Sequence, residues 1–151
     1  MTPAPSGQPR LHLELSADAR AAARAREATS AFLRETVLRG AAPRHAAGRP
    51  RPVPRRVEEA AMLIVTELVT NAVRHTQGPC TLELALHEEL HEALLDIDVT
   101  DTSPEPPSPR PPHLDGTGGW GWILIGHLAR EVTVQPTEDG GKTIHTCVAV
   151  E

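Results

Sequence analysis

No tyrosine occurs in the 151-residue chain, and only one phenylalanine and two tryptophans do. A core built on aromatic packing is thereby excluded, so Leu, Val, Ile and Ala must fill the interior. Cysteine is equally scarce: Cys80 and Cys147 lie far apart, without a spacing that holds a metal. No secretion signal is present, so a reduced cytoplasmic pair is expected rather than a disulfide. No run approaches the roughly 20 apolar residues of a membrane span. The net charge of −5 gives no overall basic footprint, which argues against direct nucleic-acid binding. The eight histidines form no HExxH motif or Cys/His cluster, and Ser103 lacks the flanking glycines of a nucleophile elbow. The length suits a single domain with one core.

Proline and glycine are plentiful, and they divide the chain. Residues 1–10 read as a disordered tail and 11–151 as the domain. Leu11, Leu13 and Leu15 alternate with His12 and Glu14, as in a half-buried strand. Ser16 or Asp18 then caps an Ala/Arg-rich helix predicted to run to about Arg39, stopped by Gly40. Five-fold punctuation by Pro43, Gly48, Pro50, Pro52 and Pro54 predicts a loop over 41–54. A second helix follows from Val57 to His75. Strands are predicted around Leu82–Leu86 and Leu95–Val99, joined by the polar turn Glu88–Glu92 as a hairpin. A proline-rich stretch from Pro104 to Pro112 fits neither sheet nor helix interior. A short apolar helix from Ile123 to Ala129 and two strands, the last including Ile144, Thr146, Val148 and Val150, complete the chain. Strand pairs with separate helices predict an α+β two-layer sandwich, with one mixed, mostly antiparallel sheet covered by helices on one face.

Chemistry-bearing residues recur at the junctions of these elements. In the second helix Val57, Ala60, Ala61, Ile64, Leu68 and Ala72 form an apolar stripe. Glu67 and Asn71 lie off that stripe and four apart, which makes them neighbours on one face. The Asn oxygen suits a hard cation such as Mg²⁺ beside phosphates, and the Glu suits a general base. A solvated helix face accounts for the same pair. Gly116, Gly118, Gly119 and Gly121 precede a helix, where backbone N–H groups can cradle an anion; a flexible loop is the alternative. No Lys-Ser/Thr pair follows, so this is no Walker A loop. Asp101 ends a strand and could accept from an exocyclic amine, or simply open a turn. Thr143 enters the last strand, either facing a ring nitrogen or serving as a β-branched strand residue.

Taken in order, these motifs resemble the ATPase superfamily of gyrases, heat-shock chaperones and sensor histidine kinases, the Bergerat fold. Glu67-Leu-Val-Thr-Asn71-Ala-Val-Arg-His-Thr76 and Asp101-Thr-Ser-Pro-Glu-Pro-Pro107 look closest to small standalone anti-sigma serine/threonine kinases, numerous in actinomycetes. The resemblance spans about Leu11 to Val150. It implies ATP and Mg²⁺ as cofactors. Glu67 would be the general base, Asn71 the Mg²⁺ holder, and Arg74 a phosphate neighbour. Asp101 would accept from the adenine amine, Gly119 and Gly121 would bring backbone amides to the phosphates, and Thr143 would face the adenine side. Residues 104–115 would form a lid over the nucleotide. A sigma factor or other regulator, an antagonist protein, and a second copy in a homodimer are the partners implied, with no membrane contact.

This chain departs from the family's pattern at three places. Ser103 stands where the superfamily usually has Gly in the adenine motif, as in the small actinomycete proteins it resembles; Trp120 stands where those relatives usually carry Arg between the two glycines, and Trp122 where an aliphatic residue is usual. The loss of a cation at Trp120 removes a charge-assisted bond that contributes about 1.5–3 kcal/mol elsewhere. Two functions follow: a protein serine/threonine kinase, or a nucleotide-dependent binding module without phosphotransfer. A fold that no longer binds ATP is the third alternative.

Overall fold

The computed structural model describes residues 8–39, 50–76, 78–89, 92–105 and 121–150. Alternating sequence patterns become the strands β1 (Arg10–Leu15), β4 (Cys80–Glu89), β5 (Glu92–Asp101), β6 (Glu131–Pro136) and β7 (Lys142–Ala149). They form one sheet in the order β1-β4-β5-β7-β6. Every ladder in it is antiparallel, so the described strands contain none of the parallel pairing that a mixed sheet allows.

Side-chain alternation sorts the sheet into two faces. Leu82, Leu84 and Leu86 of β4 point to the same buried side as Leu95, Ile97 and Val99 of β5 and Ile144 and Val148 of β7. The opposite face is polar. There His12 is hydrogen-bonded to Glu83 at 2.8 Å, His145 to Asp98, and His87 pairs with Asp96. The three helices α1 (Ala21–Glu35), α2 (Arg55–His75) and α3 (Gly121–Leu128) gather on the apolar side. Helix α2 packs on β5, β4 and β7, while α1 and α3 pack on α2. The α+β architecture with helices on one face is therefore as the sequence predicts.

Helix α2 forms where the apolar stripe lies. All six residues of that stripe are buried, together with Val65 and Val69, which widen it. Its start is two residues earlier than expected, because Pro54 serves as the N-cap and accepts the Val57 N–H at 3.0 Å. Helix α1 ends earlier than Arg39. Thr36 Oγ1 donates back to Phe32 O, and Val37 and Leu38 leave the helix to pair with Arg51 and Pro52 as the short ladder β2 (Val37–Leu38) and β3 (Arg51–Pro52). At its other end the N-cap is Arg20, with no side-chain cap, so neither Ser16 nor Asp18 caps the helix as expected; Asp18 instead accepts the Arg20 N–H at 2.8 Å and closes the turn that precedes it. Residues 8 and 9 continue into the sheet, with Leu86 N donating to Pro9 O. Both cysteines are free and buried. No helix among the described residues is long and apolar enough to cross a membrane.

Candidate functional site

Glu67, Asn71 and Arg74 lie on the C-terminal half of α2, and Asp101 is the last residue of β5. Glu67 and Asn71 are half-buried on α2, and Arg74, one turn further, is exposed. This gradient follows from helix geometry: the face carrying 67, 71 and 74 leaves the sheet as the helix ends. The N-terminus of α3 meets that face. A Cβ placed on Gly121 would lie 2.1 Å from Glu67 Oε2 and 2.3 Å from its Cδ. Only a residue without a side chain lets the start of α3 stand so close to the carboxyl group. The acid of α2 and the glycine that opens α3 are thus brought together. Gly119 and Trp120 lie outside the described residues, as do 106–115 of the expected lid.

Asp101 is on the buried, helix-facing side of β5 and is only 4 % exposed. Lys142 is its Cα partner across the β5–β7 ladder. The Lys142 ammonium lies 3.0 Å from each carboxylate oxygen. Ser103 N donates to Oδ1 at 2.9 Å, and Lys142 Nζ donates to Ser103 O at 3.3 Å. The strands are pressed together beside this pair, since a Cβ on Gly141 would meet Asp101 O at 2.0 Å. Burial, and next the negative charge of Asp101, push the Cys80 thiol above its usual range.

Thr143 does not join this group. Strand alternation turns it to the polar face, where its hydroxyl shares a 2.8 Å hydrogen bond with Thr100. The residue that alternation delivers to Asp101 is its neighbour Lys142. The sequence pattern singles out Thr143 and gives the adjacent Lys142 no role. Its signal was pairing register, which is fixed only when β5 and β7 meet. A second unforeseen feature joins α2 to β5: Thr76, at the end of α2, shares a 2.6 Å hydroxyl bond with Thr102, just past β5. Gly78 N also donates to Thr76 Oγ1 at 2.9 Å.

Chemically, the end of the molecule offers a half-buried carboxylate against a helix N-terminus, a carboxamide one turn away, and a fixed buried carboxylate. Among the described residues no group of three or more His, Cys, Asp or Glu could hold a metal ion. A hard cation here would rest on the Asn71 oxygen together with oxygens of a bound ligand, the usual condition of Mg²⁺ beside phosphates. Of the comparisons with known proteins, the family model for the histidine kinase-like ATPase domain matches residues 15–147. No curated protein matches the chain significantly.

Proposed function

We propose, from the premise that this chain belongs to the histidine kinase-like ATPase domain family, that it binds ATP with Mg²⁺ at the α2–α3–β5 end. It acts there as a regulatory protein serine/threonine kinase of the anti-sigma type. The observation that supports this most is the approach of Gly121 to Glu67, with room for no side chain between them. It places a carboxylate that can serve as a general base beside a helix N-terminus, the kind of position where phosphate binds.

The residues present fit the implied groups. Asn71 is the side chain that would hold Mg²⁺, which when bound supplies charge neutralisation at the phosphates. Asp101 retains acceptor capacity for an amine, and Arg74 brings an exposed cation to the end of α2. In the transfer step Glu67 takes the proton from a substrate Ser or Thr hydroxyl. That oxygen forms a bond to the γ-phosphorus, the bond to the β-phosphate oxygen breaks, and ADP leaves. The substrate would be an antagonist protein and the regulated partner a sigma factor or similar regulator, with a homodimer as the assembly.

Trp120, in place of a cation between the glycines, favours a second reading: nucleotide binding that switches protein affinity without phosphotransfer. One titration and one assay separate these. Trp120 and Trp122 flank Gly121 in sequence and are the only tryptophans, so their fluorescence reports on ATP. We expect a saturable change that needs Mg²⁺ and weakens in Asn71→Ala. No response up to millimolar ATP, with calorimetry also silent, sinks the nucleotide site. Transfer of labelled γ-phosphate to an antagonist should fall about 10²–10⁴-fold in Glu67→Gln, the range for a lost general base. Nucleotide binding with no transfer in the native protein selects the second reading.

A further inference from the structure

Asp101 and Lys142 form a buried pair whose side chains are only 3 % and 6 % exposed. Pairs of this kind contribute little net stability, because desolvation of both charges offsets their attraction. Apolar residues would pack this position as well. The arrangement is nonetheless specific. Three contacts define the carboxylate plane: Lys142 Nζ reaches both oxygens at 3.0 Å, and Ser103 N reaches Oδ1 at 2.9 Å. The same ammonium holds Ser103 O, so the chain leaving β5 is tied to the pair. Behind it, Gly141 allows the two backbones to close to a distance that a Cβ would forbid. Oδ1 thus carries two donors from the described residues and Oδ2 one, which leaves the free acceptor capacity chiefly on Oδ2.

We propose that Lys142 is the positioning residue for Asp101, fixing its carboxylate as an acceptor so that the site takes a 6-aminopurine nucleotide and rejects a 6-oxopurine. The inference rests on the nucleotide-binding reading above and names the residue that sets its base preference. A carboxylate held in this way can only accept. An exocyclic amine satisfies it, whereas a carbonyl oxygen at the same place leaves two acceptors face to face and a buried group unpaired. Without the ammonium, the buried carboxyl is free to rotate about its side-chain bonds. A carboxyl that can turn away from the base no longer penalises a 6-oxo group.

The test compares ATP and inosine triphosphate by calorimetry with Mg²⁺, using the full chain. The native protein should prefer ATP by about 10–100-fold, the range for leaving one buried polar group unpaired. Lys142→Met should bring the two affinities to within about threefold. Lys142→Arg keeps two donors and should retain the native ratio. If Lys142→Met does not fold, Lys142→Gln, which keeps an amide donor group but no charge, should narrow the preference in the same direction and by less. A purely structural lysine would lower both affinities together and leave their ratio unmoved, with no rescue of the ratio by Lys142→Arg. That result overturns the inference, as does equal affinity of the native protein for the two nucleotides. If the native protein binds neither, the nucleotide reading itself fails and the inference falls with it.

Discussion

A methyl group at Gly121 would fall 2.1 Å from Glu67 Oε2, and one at Gly141 would fall 2.0 Å from the carbonyl oxygen of Asp101. The numbers are alike and the consequences differ. At Gly121 the obstacle is the far end of a flexible side chain, which can rotate away. Gly121→Ala should therefore cost under about 1 kcal/mol in denaturant unfolding while reducing phosphotransfer as Glu67→Gln does. At Gly141 the obstacle is backbone inside a ladder. Gly141→Ala should lower stability by about 1–3 kcal/mol, and truncating neighbouring side chains should not restore it. Equal losses in the two variants would contradict this account. At this scale, Glu67 and Asn71 were legible because four-residue spacing on a helix is local information. Lys142 was not, because its partner Asp101 is distant in sequence and only strand register brings them together.

Helix α2 carries the core and the site on different faces of one element. Leu68, fully buried, lies next to Glu67 in the chain and three residues before Asn71. Leu68→Ala should cost about 2–5 kcal/mol, the range for a leucine deleted from a packed interior. Because the helix must settle to fill the space, Mg²⁺-dependent ATP affinity should fall as well. A variant that loses stability and keeps native affinity would show that the two faces are independent. The elements with sustained periodicity, α2, β4, β5 and β7, could be read from apolar spacing. The β2–β3 ladder could not. Two residues per strand, one of them Pro52, carry no period, and the pairing exists because Thr36 closes α1 early.

Across the whole molecule, the antiparallel sheet presents one apolar face to the helices and one polar face rich in His–carboxylate pairs. The two thiols are buried in this framework. Burial, and next the nearby Asp96 charge, push Cys147 from 9.0 up to about 11, and burial raises Cys80 too. A thiol that stays protonated in the fold while the unfolded chain ionises favours unfolding as pH rises. Stability should be level below about pH 9 and should then fall on the order of 2 kcal/mol by pH 11. Urea midpoints across that range check this. The decline should flatten in Cys147→Val, and an unchanged slope there would assign it to other groups. The α+β class was legible from the order of helices and hairpins alone. The closeness of α3 to α2 was not, since it depends on where two elements separated by a long intervening stretch come to rest.

The hydroxyl bond between Thr76 and Thr102, with Gly78 N–H closing onto the same oxygen, clamps the last turn of α2 to the exit of β5. The end of α2 and the exit of β5 form a corner that is braced before anything enters. Such a corner acts as a mould already set: the conformational freedom lost on loading it belongs to the incoming molecule. A stiff ligand of matching outline then gives up very little on arrival, and a floppy one is penalised for its own disorder.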